Sequence, residues 1–135
     1  MEFWMSSEKH ILVGDSERIA RNVVEPVVSE LLEGVELSCG AKRWSVITIV
    51  MPDERVGDYP EVKRYHKARQ VVELRVQLPF YKFKEADSSQ QIGLVLDALA
   101  RSVDLMKEIK SLKLAGEEYS MLKTIVEKAR LELKV

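Results

Sequence analysis

His10, Cys39 and His66 are the residues of this chain best suited to metal or nucleophilic chemistry, and their spacing gives them no partners. A metal site needs several ligands converging at short intervals, such as two histidines four apart on a helix. Neither histidine has such a neighbour, so no metal is expected. Cys39 lies in "LSCGAKRW", where Lys42 and Arg43 could lower a thiol pKa. A nucleophile also needs an oriented base, and none stands near it in the sequence. The carboxylates Asp53, Glu54, Asp58 and Glu61 could converge for acid–base work, but four acids in a polar stretch are more often solvated. Phosphate cradles need clustered glycines ahead of a helix. "VGDS" (13–16) has one glycine, and "GVELSCG" (34–40) is followed by no helical pattern.

Nucleic-acid chemistry is the strongest chemical alternative. Lys63, Arg64, Lys67 and Arg69 surround Tyr65, the pairing of cation and stacking ring that single-strand binders use. The acids immediately upstream would repel a phosphate backbone. The whole chain holds 21 basic and 22 acidic residues, net −1, without the basic excess that phosphate neutralisation calls for.

At 135 residues the chain fits one domain able to bury about two-thirds of its unfolded surface, so it needs no staple. A single cysteine rules out an intrachain disulfide and suits a reducing compartment. The start, "MEFWMSSEKH", lacks the basic and apolar regions of a secretory signal, and no apolar run has the length of a membrane span. A cytoplasmic protein without membrane contact is expected.

The elements that must position these residues read as follows. "EFWMS" suits a first strand. Asp15 and Ser16 precede a helical stripe of Ile19, Ala20, Val23, Val24, Val27, Leu31 and Val35. Pro26 lies inside it and predicts a kink or a two-piece helix, and Gly34 a stop. "RWSVITIVMP" is apolar on both faces, the pattern of a central strand, with Trp44, Val46, Thr48 and Val50 on one side. "QVVELRVQLPFYKF" alternates, setting Glu73, Arg75 and Gln77 against Val72, Leu74, Val76 and Leu78. Asp87, three residues before Gln90, predicts a capping box. The helix behind it carries a stripe of Ile92, Val95, Leu96, Leu99, Val103, Met106 and Ile109. A last helix carries Tyr119, Leu122, Ile125, Val126, Ala129 and Leu133. The expected fold class is α+β: a small, mainly antiparallel sheet, order β-α-β-β-α-α, packed against helices. Residues 1–135 read as a single domain, with 111–135 a C-terminal helical extension.

Four segments, "EFWMSSE", "WSVITIVMP", "EVKRYHKARQVVELRVQLPFYKFKEAD" and "IGLVLDALARSVDLMKE", together resemble the Immunity protein 44 type of bacterial polymorphic-toxin systems. The resemblance runs from about residue 2 to residue 109. It implies a protein without catalysis or cofactor that binds one cognate toxin C-terminal domain. The residues themselves agree with a partner surface, because tyrosine and arginine are favoured interface anchors. The candidate contact residues are Asp58, Tyr59, Glu61, Arg64, Tyr65 and His66 in the charged stretch, and Glu73, Arg75 and Gln77 on the alternating strand. Nothing in the sequence fixes the oligomeric state. The alternative is a small nucleic-acid-binding module using Arg64 to Arg69.

Overall fold

Pro26 offers no amide hydrogen, so the carbonyl four residues before it has no α-helical donor. The chain answers with a wider turn. In the computed structural model, a π-helical stretch (Arg18–Val24) runs directly into helix α1 (Glu25–Leu32), with Pro26 in its first turn. The buried residues record the change of pitch. Ile19 and Val24 are five apart, the π spacing, whereas Val24, Val28 and Leu32 follow at four. The two-piece helix expected from Pro26 is present, but the core stripe is displaced: Val23, Val27 and Leu31 are only partly buried. Gly34 then adopts φ +76°, the left-handed conformation that stops a helix.

The structure describes residues 2–7, 18–35, 44–51, 60–64, 72–77, 80–109 and 113–135. Side chains are described within 18–35 (Ala20 apart), 82–109 and 113–135. The strands, given by their backbone, are β1 (Glu2–Ser7), β2 (Trp44–Met51), β3 (Pro60–Arg64) and β4 (Val72–Gln77). They are followed by α2 (Phe80–Glu85), α3 (Ser88–Glu108) and α4 (Gly116–Leu133). Strand order is β1-β2-β4-β3. β1 pairs parallel with β2, β2 parallel with β4, and β3 antiparallel with β4.

The expected fold class is therefore corrected. An α+β fold built on a small, mainly antiparallel sheet in the order β-α-β-β-α-α is not what the chain shows. Of the residues with described side chains, 84% are helical and none belongs to a strand. The described core is a helical one, and two of the three strand pairings are parallel. The physical reason lies in "PEVKR", which the sequence reading left inside a loop. With β3 unread, β2 and β4 look like consecutive strands of a hairpin. With β3 at the edge, antiparallel to β4, the chain reverses once more and β4 returns parallel to β2.

Two local readings change with it. The alternation of residues 70–83 does not continue as strand: β4 ends at Gln77, and Phe80 to Glu85 form α2. The register between β2 and β4 shifts between Trp44 and Val46, so Ser45 is an extra residue and Trp44 pairs with Val72. Trp44 thus falls out of step with Val46, Thr48 and Val50.

The helices pack as their patterns require. α1 lies against β1 and α4, while α3 lies against β2, β4, the π-helical stretch, α2 and α4. Among the described residues the largest fully buried side chains are Phe83, Leu32, Leu96, Leu99, Met106 and Leu122. α4 adds Ile125, Val126 and Ala129 to that interior. Asp87 and Gln90 form the expected capping box. The Gln90 amide donates to Asp87 Oδ1 at 2.8 Å, and the Asp87 amide donates to Gln90 Oε1 at 3.1 Å. The buried polar groups Gln91 and Ser102 both have partners: Gln91 Nε2 donates to the Phe83 carbonyl at 2.9 Å, and Ser102 Oγ to the Ala98 carbonyl at 2.8 Å.

Candidate partner-binding surface

Of the nine residues expected to touch a partner, five fall on described backbone. Glu61 and Arg64 are in β3, and Glu73, Arg75 and Gln77 are in β4. Asp58, Tyr59, Tyr65 and His66 lie outside the described residues, as do His10, Cys39, Asp53, Glu54, Lys67 and Arg69.

The β3–β4 register brings charges together in a way the sequence left open. Glu61 pairs with Arg75 and Lys63 with Glu73, two opposite-charge cross-strand positions side by side. Such pairs stabilise a sheet by roughly 0.2–1 kcal/mol each. Period-two alternation gives Glu61, Lys63, Glu73, Arg75 and Gln77 one face of the sheet. Arg64 pairs with Val72 and belongs to the opposite set, so it does not share that face. Pro60 at the head of β3 and the charges along it suit an edge strand, which must resist adventitious pairing.

A second polar cluster, which sequence reasoning did not assemble, lies where α3 meets α4. Tyr119, read only as part of the final helix's apolar stripe, is half-buried and donates its hydroxyl to Asp104 Oδ1 at 2.7 Å. Lys123 Nζ donates to the same oxygen at 3.1 Å, and Lys107 Nζ stands 4.5 Å from the centre of the Tyr119 ring. Two turns further along α4, Arg130 pairs with Asp97 at 2.6 Å and with Glu127 at 3.7 Å. Asp97 and Asp104 are seven apart on α3, which puts both on the seam with α4. That spacing is the one sequence signal that could have pointed to the seam.

The Tyr119 hydrogen bond is the main reason that the Asp104 carboxyl is held below its ordinary value; Lys123 and Lys107 add to it against a desolvation cost. The same bond is the main reason that the Tyr119 hydroxyl is pushed up, helped by desolvation and the Asp104 charge and opposed by Lys123. Asp104 is 48% exposed, so the network is a solvent-screened clasp. Because its folded pKa is lowered, Asp104 contributes stability above its unfolded value near 3.8 and loses it as pH falls through the lower folded value. The raised Tyr119 value acts oppositely: its contribution is present below 10.0 and is lost as pH rises through the folded value. Asp104→Asn is accordingly expected to melt below wild type at neutral pH. The gap should close below pH 3.8, in thermal melts taken down to about pH 2. A gap of constant size would show that the carboxylate's charge contributes nothing.

Neither cluster has the composition of a reaction centre. Among the described residues no group of three His, Cys, Asp or Glu side chains could hold a metal ion, and no helix is long and apolar enough to cross a membrane. An open groove of about 590 Å³ runs between α2, the first half of α3 and Val135. Its rim mixes Lys82, Glu85 and Asp97 around Ala86, Gly93 and Leu94.

Compared with protein-family models, the chain matches the one described as Immunity protein 44 over residues 1–132. The chain belongs to the Immunity protein 44 family. The match extends past residue 109, where the resemblance read from sequence segments ended, and takes in nearly all of α4. Both the β3–β4 register pairs and the α3–α4 clasp lie within the matched residues. No curated protein and no solved structure matches the chain.

Proposed function

We propose that this protein protects the cell that makes it by binding one cognate toxin domain and blocking that domain's activity. The observation that carries the proposal is membership of an immunity-protein family along almost the whole chain. Binding, rather than chemistry, is the mode that suits the sequence. The histidines and the single cysteine are isolated along the chain, and the charged positions Glu61 and Lys63 of β3 have residues of opposite sign, Arg75 and Glu73, as register partners in β4. The surface proposed to meet the toxin draws on Asp58, Tyr59, Glu61, Arg64, Tyr65, His66, Glu73, Arg75 and Gln77. It works in the cytoplasm, without cofactor and without catalysis.

The test is co-expression with the C-terminal domain of the toxin encoded beside it. The expected result is restored growth of cells making that toxin domain, together with a one-to-one complex that survives size-exclusion chromatography. Growth arrest unaffected by this protein, with no complex formed, would remove the proposal.

A further inference from the structure

Six apolar residues at the π–α junction come as three pairs of identical neighbours: Val23 and Val24, Val27 and Val28, Leu31 and Leu32. The pairs follow one another at intervals of four, about one helical turn, so each turn offers two copies of one side chain. Burial divides the copies. Val24, Val28 and Leu32 are fully buried, while Val23, Val27 and Leu31 are only partly so.

The pitch of the π-helical stretch decides which copy goes inside. Ile19 is buried near its start, and five residues of π pitch bring Val24 round to the same side. Four residues of α pitch from Ile19 would bring Val23 there instead, then Val27 and Leu31. That exchange replaces valine by valine twice and leucine by leucine once. A register slip ordinarily costs stability because the core changes volume or polarity, and here it changes neither. What separates the registers is Pro26. In a regular α-helix its ring clashes with the carbonyl four residues back and brings that carbonyl no amide hydrogen. The carbonyl is that of Asn22, inside the π-helical stretch, so the wider turn falls where the clash would be.

We propose that α1 is a two-register helix, held by Pro26 in the register seen here. The π turn closes to an α turn, and α1 rotates by about 100° and shifts by about 1.5 Å along its axis. Each buried member of a pair then gives way to its twin against the same neighbours, β1 and α4. Ile19 stays buried and acts as the pivot. The core keeps its composition while the outer face of α1 turns, carrying Pro26, Glu30 and Glu33, which are exposed in the present register. Two packings of one sequence that differ little in energy make a bistable element, and a partner that prefers one of them draws the population to it. The device goes beyond toxin binding and stands or falls independently of it.

Thermal melts of Val27→Ala and Val28→Ala, each alone and each combined with Pro26→Ala, test this. Alone, Val28→Ala is expected to lower the melting temperature by about 5 °C or more, and Val27→Ala by less than half as much. Pro26→Ala removes the clash and restores an amide to the Asn22 carbonyl, so it releases the α register. In that background the order should reverse, with Val27→Ala the more damaging substitution. An unchanged order would show a single register and overturn the inference. Methyl relaxation dispersion on the wild-type protein needs no variant and reads exchange between the registers directly. Both members of each valine and leucine pair should show exchange. Flat profiles at all six residues would again overturn the inference.

Discussion

Replacing Phe83 by alanine is expected to cost about 3–5 kcal/mol, the largest loss from any single truncation among the residues with described side chains. Phe83 is the largest fully buried side chain among the described residues, at 0% exposure, yet it sits in a helix of only six residues. So short a helix has no independent stability; isolated helices need about 12–15 residues even with favourable sequences. What holds α2 is its side chain in the core and the hydrogen bond from Gln91 Nε2 to the Phe83 carbonyl. Truncation removes the ring and leaves a cavity, and the loosened helix then exposes a carbonyl whose donor, Gln91, is buried. Urea denaturation of Phe83→Ala against Phe83→Leu measures this. The leucine variant should retain most of the stability, and a loss below about 1 kcal/mol for alanine would show that α2 is peripheral.

That role has no local signature in the sequence, for a definable reason. The alternation of "QVVELRVQ" gives way to "LPFY", an apolar run that does not tell whether strand or helix follows. Phe83 is out of phase with Val72, Leu74, Val76 and Leu78, and it is buried through a helix rather than through a strand face. The π-helical stretch misled in a related way. Of the expected stripe, Ile19 and Val24 are buried, but Val23, Val27 and Leu31 are only partly so, and Val28 and Leu32 take the core positions after the wider turn. Pro26 announced a break but not its geometry. Where pitch was regular, reading succeeded. In α3, Val95, Leu96, Leu99, Val103 and Met106 are all buried, and Asp87 and Gln90 cap the helix as their spacing requires.

For the candidate surface, the sequence supplied the residue types and withheld their neighbours. Glu73, Arg75 and Gln77 were legible as a polar strand face because alternation is local. Their pairing with Lys63 and Glu61 depends on a strand hidden in charged sequence, where "PEVKR" has only one aliphatic residue to signal it. The parallel alignment of β1 with β2, which brings Trp4 beside Thr48, joins residues more than forty apart and has no local signature. The Tyr119–Asp104 bond is equally non-local and depends on how α4 sits on α3.

Leu122→Ala, the second large effect, is expected to cost about 2–5 kcal/mol, while Leu131→Ala on the same helix stays within about 0.5 kcal/mol. Leu122 is 1% exposed and Leu131 is 79% exposed, so the same substitution samples the two sides of α4. The helix has much to lose there. The charged clasp of Asp104 with Lys123 and of Asp97 with Arg130 is screened by solvent and contributes modestly, so α4 is held mainly by Leu122, Ile125, Val126 and Ala129. The same variant separates stability from recognition. If the toxin docks on the proposed surface of β3, β4 and the stretch around them, Leu122→Ala leaves that surface unchanged in whatever fraction stays folded. Its toxin affinity, measured at low temperature, should equal wild type, while protection at growth temperature falls with the amount of folded protein. A folded Leu122→Ala with weakened affinity would place α4 against the toxin and move the docking surface to the helical side.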